Sequence, residues 1–160
     1  MGMTRGEKKV FSKNPTPARI SAFQKRILDH YGRHGRSLPW RKTRNPYHIL
    51  VSEIMLQQTQ VDRVISKYNH FIGLFPDLAA LARAPLQKVL AAWSGLGYNR
   101  RAIALKKCAA ALAGSTGAKV PRTYEALVQL PGIGPYTASA ICVFAYNLPR
   151  VFIETNIRTV

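Results

Sequence analysis

Acidic residues are scarce: 7 Asp and Glu stand against 24 Lys and Arg in 160 residues, giving a net charge of +17 and a pI near 10.6. A chain this short of acids cannot neutralise its own cations, which points to a polyanionic partner. Cysteine is scarcer still. Cys108 and Cys142 lie far apart inside apolar patterns, which excludes a disulfide framework and a cysteine-based metal site and leaves two small buried residues. No apolar run approaches the roughly 18 residues needed to cross a bilayer, and the basic N-terminal stretch has no apolar block behind it. Membrane-spanning and secretory readings therefore fall away, and a cytoplasmic, nucleoid-associated location is expected. Internal repeats and low-complexity segments are absent too.

What is present is a core's worth of hydrophobic residues, 47% of the chain, enough for one domain. The cations are spread through it, at Lys8, Lys9, Lys13, Arg33, Arg36, Arg41, Lys42, Arg44, Arg100, Arg101, Lys106 and Lys107. That spread suits nucleic acid better than a membrane surface, since no basic amphipathic helix stands apart. Residues 1–15 lack hydrophobic periodicity and read as a basic flexible arm, and residues 16–160 as one helical domain.

Thr16 and Pro17 open a helix along which Ile20, Phe23, Ile27, Leu28 and Tyr31 recur at helical spacing. Asn45-Pro46 starts a second, to about Gln57. A third carries the core stripe Val61, Val64, Ile65, Tyr68, Phe71 and Phe75 before Pro76. Asp77 opens a short helical turn, and Pro85 a helix through Trp93 that Gly95 and Gly97 stop. Further helices are expected over about 98–113, from Thr123 to near Leu130, and over 135–146. Only 151–153 looks extended. The chain stops at Val160, one turn into a helix that Thr155 or Asn156 caps, so it is either C-terminally incomplete or closes on a docked last turn. The fold class is all-α, a helical bundle with short connections.

Three features carry chemistry. Leu130-Pro131-Gly132-Ile133-Gly134-Pro135-Tyr136-Thr137-Ala138 reads as a helix-hairpin-helix within about 123–146, whose glycines let backbone amides beside a helix N-terminus approach a phosphate. Such a grip holds nucleic-acid backbone without reading sequence; an ordinary helix–helix turn is the plain alternative. Glu53 shares a helix face with Leu50 and Gln57, where desolvation would raise its pKa and make it a proton donor near neutral pH. A carboxylate that merely neutralises nearby cations is the alternative there. Glu154 follows an apolar step and precedes a helix start, so it is either a helix-dipole partner or a second functional acid. Two carboxylates beside a phosphate-gripping hairpin suit cleavage of a glycosidic bond, one protonating the leaving group and one facing the oxocarbenium charge.

With Leu38-Pro39-Trp40-Arg41, the 53–61 segment and Trp93 through Gly95-Leu96-Gly97-Tyr98, these motifs stand in an order that resembles the helix-hairpin-helix DNA glycosylase superfamily, with its endonuclease III-like fold. Within it the chain resembles the MutY-type adenine glycosylases over about 37–160. The resemblance implies a base-excision repair enzyme, acting as a monomer on double-stranded DNA, that removes adenine mispaired with 8-oxoguanine or guanine. A thymine or oxidised-pyrimidine glycosylase of the same superfamily, or a catalytically weak DNA-binding fragment, are the alternatives. It implies that Glu53 protonates the adenine ring with Tyr136 nearby, that Glu154 stabilises charge, and that Asn156 belongs to the same catalytic group. Gln58 and Tyr98 match positions that wedge into the base stack, and Thr59 a lesion-contacting position. Arg41, Gly132, Gly134 and Thr137 complete the DNA-binding set.

Position 136 sorts the subclasses, because the bifunctional glycosylase/lyases carry a lysine nucleophile there and tyrosine cannot form a Schiff base. Monofunctional base removal is expected, with weak lyase activity through Lys106, Lys107 or Lys119 the lesser alternative. The sequence departs from the family pattern at Glu154-Thr155, where aspartate and usually glycine stand, and at Asn99, which replaces a second aromatic. Family members often hold a 4Fe-4S cluster with four cysteines; two scattered cysteines cannot supply four thiolates, so no cofactor is expected in this chain.

Overall fold

The computed structural model describes residues 14–115 and 117–153. Most of the basic arm, the expected last helix, and with it Glu154 and Asn156, lie outside the described residues. The described residues fall into two units, one ending at Ser37 and one beginning at Leu38. The first holds α1 (Pro17–His34), started by Thr16, whose side chain accepts a hydrogen bond from the Arg19 N–H, and by Pro17 in the first turn. None of α1's residues is buried.

In the second unit a 3₁₀ turn (Pro39–Arg41) leads into α2 (Pro46–Leu56), α3 (Val61–Leu74), α4 (Leu78–Arg83), α5 (Leu86–Trp93), α6 (Arg100–Ser115), α7 (Tyr124–Leu127) and α8 (Pro135–Tyr146). No strand occurs among the described residues, as the periodicity requires. Side-chain caps set the starts: Asn45 accepts from the Tyr47 N–H at 2.9 Å, Asp77 from the Ala80 N–H at 2.7 Å and Thr123 from the Ala126 N–H at 3.4 Å. Two helices are shorter than their patterns suggest. α6 begins at Arg100 rather than near 98, because Gly97 and Tyr98 take φ of 72° and 48°, which no helix accepts. α7 ends at Leu127, because the chain turns back with the Leu130 N–H on the Leu127 carbonyl just before Pro131. Residues 151–153 carry no regular secondary structure.

α2 and α8 form the centre. α2 buries Tyr47 and every residue from Ile49 to Met55, and α8 buries Thr137 through Cys142; helices apolar nearly all round must be enclosed. They pack on each other, with α3 and α6 also against α2 and α7 against α8. Phe71 on α3 stacks edge-on with Phe75 and with Trp93 on α5, ring centroids 4.8 and 5.8 Å apart. Truncating a fully buried ring of this kind to alanine costs about 3–5 kcal/mol. The buried Tyr47 hydroxyl donates to the Phe75 carbonyl at 2.7 Å, tying the start of α2 to the end of α3. Lys106 reaches from α6 to donate to the Ala82 carbonyl at 2.9 Å, a cation at the C-terminal end of α4. This packing sets the C-terminal half of α2, and so Glu53, beside the N-terminus of α8.

Candidate functional site

Glu53 is 7% exposed on a helix whose buried residues are otherwise apolar apart from Ser52. Burial pushes its pKa up to about 7, and the nearby Arg41 guanidinium holds it from going higher. The carboxyl is therefore poised to give up a proton near neutral pH. It lines a cleft of about 850 Å³, large enough for a nucleobase, shared with Arg41, Tyr136, Thr137, Gly134 and Phe152. The Gln57 amide donates to the buried Thr137 hydroxyl at 3.4 Å and joins the end of α2 to the start of α8.

Part of the lining of this cleft is aromatic. Arg41 sits 4.3 Å above the Phe144 ring, Phe144 meets Phe152 edge-on at 5.9 Å, and Phe152 meets Tyr136 at 5.3 Å. This edge-to-face array with a guanidinium over one ring gives the cleft an apolar aromatic lining. A smaller cavity of about 100 Å³ is lined by Glu53, Trp40 and Ser52, and the buried Trp40 indole N–H has no hydrogen-bond partner within the described residues.

The hairpin between α7 and α8 is built as its glycines demand. Gly132 has φ of 78°, and a Cβ there would lie 2.8 Å from the Ala104 Cβ on α6, so both conformation and space require glycine. Gly134 caps α8 with extended backbone and Pro135 opens its first turn. An α-helix leaves its first N–H groups without intrahelical acceptors, and here that end opens on the cleft holding Glu53.

Gln58 and Tyr98 occupy two loop corners, both in the left-handed region, φ of 56° and 48°. Tyr98 is 54% exposed, so core packing does not explain it, and Gln58 is exposed beyond the end of α2 rather than on it. With Thr59 they line both the Glu53 cleft and a second groove of about 760 Å³ that also holds Arg63 and Asn99. The two corners thus form the rim between the spaces. Of the residues nominated from sequence, Glu53, Arg41, Gln58, Thr59, Tyr98, Gly134, Tyr136 and Thr137 line one cleft. Gly132 does not, standing behind the hairpin against α6.

Sequence reading missed Phe144, Phe152 and Arg101. The aromatics look like ordinary core positions until tertiary packing turns them toward Glu53. Arg101 had a signal: it stands in helical register with Leu105, Cys108 and Leu112, a charge on the apolar stripe of α6.

The described residues do not fit a metal cluster. Cys108 and Cys142 are buried on different helices, burial pushes the Cys108 thiol up to about 12, and among the described residues no three metal-ligating side chains come together. No helix among the described residues is long and apolar enough to cross a membrane.

Residues 51–160 match the family of HhH-GPD superfamily base excision DNA repair proteins, the segment that carries Glu53, both rim corners and the hairpin. The chain belongs to this superfamily. It is 44% identical over 139 residues to an adenine DNA glycosylase of Buchnera aphidicola, covering 86% of this chain and 40% of that one. Adenine DNA glycosylases of Mycobacterium tuberculosis and Homo sapiens are 44% and 39% identical, over 84% and 89% of this chain and 44% and 28% of theirs. The chain thus spans less than half the length of these curated relatives. Among solved structures, a thermostable thymine-DNA glycosylase superposes with a TM-score of 0.80 at 31% identity, covering 85% of this chain and 63% of the other. A trapped endonuclease III–DNA covalent intermediate shares the fold, with a TM-score of 0.76 at 21% identity over 89% of this chain and 66% of that one.

Proposed function

We propose that this chain is the base-excising part of a monofunctional DNA N-glycosylase that removes adenine mispaired with 8-oxoguanine or guanine. The observation that carries the reading is the buried, near-neutral carboxyl of Glu53 in a base-sized cleft that the hairpin end of α8 also borders. The curated relatives, each an adenine DNA glycosylase, support adenine as the base. Duplex DNA approaches a surface of +17 net charge, the hairpin amides take a backbone phosphate, and Gln58 and Tyr98 fill the space the everted nucleotide leaves.

Protonated Glu53 gives its proton to a ring nitrogen of the everted adenine, and the N-glycosidic bond breaks with its electrons leaving on the neutral base. The family resemblance gives the stabilisation of the oxocarbenium cation left on the sugar to Glu154, with Asn156 in the same catalytic group. Water adds to the anomeric carbon and returns its proton to Glu53. Tyr136 contributes no amine, so no Schiff base forms and the strand stays intact until an abasic-site cleavage follows. The chain acts as a monomer and needs no cluster ligated by its own two cysteines.

The thymine-DNA glycosylase likeness favours a second reading, excision of thymine from a guanine mispair. Duplexes carrying adenine opposite 8-oxoguanine, adenine opposite guanine, and thymine opposite guanine separate the two. Free adenine from the first pair, with the strand left uncut, supports the proposal. Free thymine alone would replace it with the second reading, and salt-sensitive binding without release of any base would reduce the chain to a DNA-binding piece.

A further inference from the structure

Arg101, at the start of α6, is 7% exposed, and among the described residues no carboxylate pairs with it. Oxygen atoms of the main chain take the place of a counter-ion. Nη1 donates to the carbonyls of Ile54 at 3.1 Å, Met55 at 3.0 Å and Gln57. Nη2 donates to the Thr59 hydroxyl at 3.0 Å and to the carbonyls of Leu96 and Gly97 at 3.1 Å each. The guanidinium also stands 5.4 Å from the Tyr98 ring and 5.6 Å from the Trp93 ring.

These acceptors fall into two groups far apart in sequence: the corner that carries Gln58 and the corner that carries Tyr98. Both residues hold positive φ without being glycine, a conformation that persists only where the surroundings over-determine it. One planar fork reaching both corners provides that constraint, and a lysine ammonium on its flexible stem cannot reproduce it. We propose that Arg101 is a positioning residue that locks the 57–59 corner to the 96–98 corner as a single jaw, so that Gln58 and Tyr98 enter the base stack together. The role in catalysis rests on the excision reading given above; the lock itself does not.

Amide hydrogen exchange on the DNA-free chain tests the lock. The Thr59 N–H bonds to the Leu56 carbonyl and the Leu96 N–H to the Trp93 carbonyl, so each reports one corner. In the wild type the two amides open with one shared rate, and in Arg101→Lys both exchange about tenfold faster or more while amides in the middle of α2 and α8 keep their protection. Separate wild-type opening rates would overturn the proposal even where the variant failed to fold, as would a variant in which only one corner loosened or neither did. The same variant is then assayed for adenine release. A loss of about a hundredfold in single-turnover rate, with a much smaller change in the half-saturating duplex concentration, is the mark of misplaced rim residues. If both corners loosen together and the wild type releases no adenine, the jaw stands and the excision reading falls. If the wild type releases adenine and the corners of Arg101→Lys stay closed, the excision reading stands and the jaw falls.

Discussion

Replacing Glu53 by glutamine keeps the shape of the side chain and removes its titration, so the pH dependence of stability isolates the cost of burying this carboxylate. The pKa rises from 4.5 to about 7 on folding, chiefly through desolvation. The unfolded chain releases this proton from about pH 4.5 and the folded chain holds it to about 7, so the neutral form's stability is fully present below 4.5 and drains away up to 7. At 1.36 kcal/mol per pKa unit the full loss is somewhat over ~3 kcal/mol, and about 2–3 kcal/mol of it falls between pH 5 and pH 8. Urea unfolding of wild type and Glu53→Gln at those two pH values measures it. The stability of the variant relative to wild type should grow by about 2–3 kcal/mol from pH 5 to pH 8, whatever constant offset the amide introduces. A difference that stays flat, or shrinks as pH rises, would refute the claim that Glu53 is desolvated.

Three further outcomes follow from the same geometry. Gly132→Ala forces a methyl group onto Ala104 at a positive φ and should cost about 1–3 kcal/mol, read as a lower urea midpoint, with weaker duplex binding in proportion to hairpin distortion. Gln58→Gly relieves a left-handed non-glycine residue and should leave stability unchanged or raise it by up to about 1 kcal/mol while lowering the base-release rate. Fluorescence anisotropy across a salt series should show duplex affinity falling linearly on logarithmic axes, with a slope of about 0.9 per phosphate neutralised, and Arg63→Ala should make that slope shallower.

Much of this molecule is legible in its residues, for identifiable reasons. The caps Asn45, Asp77 and Thr123 and the prolines at 17, 46 and 135 announce helix starts locally, so the all-α layout needs no tertiary knowledge. Glu53 stands out because a charge at the heart of an apolar segment needs explaining, and Gly132 and Gly134 because few sequences place two glycines between a Leu-Pro and a helix start. What stays hidden depends on contacts between distant segments. The left-handed backbone at Gln58 and Tyr98 has no local signature, since neither is glycine, and it moves the start of α6 two residues along. The meeting of Arg41 with Phe144 and Phe152 joins three separate stretches, and the convergence of six acceptors on Arg101 is a property of the fold alone.

The central claim is that the Glu53 carboxyl delivers the proton that releases the base. Single-turnover adenine release from an adenine·8-oxoguanine duplex, followed from pH 5.5 to 8.5 with wild type and Glu53→Gln, addresses it directly. The wild-type rate should fall as pH rises through about 7, and the variant should be slower by about a hundredfold or more at pH 6. A variant that releases adenine as fast as wild type would contradict it.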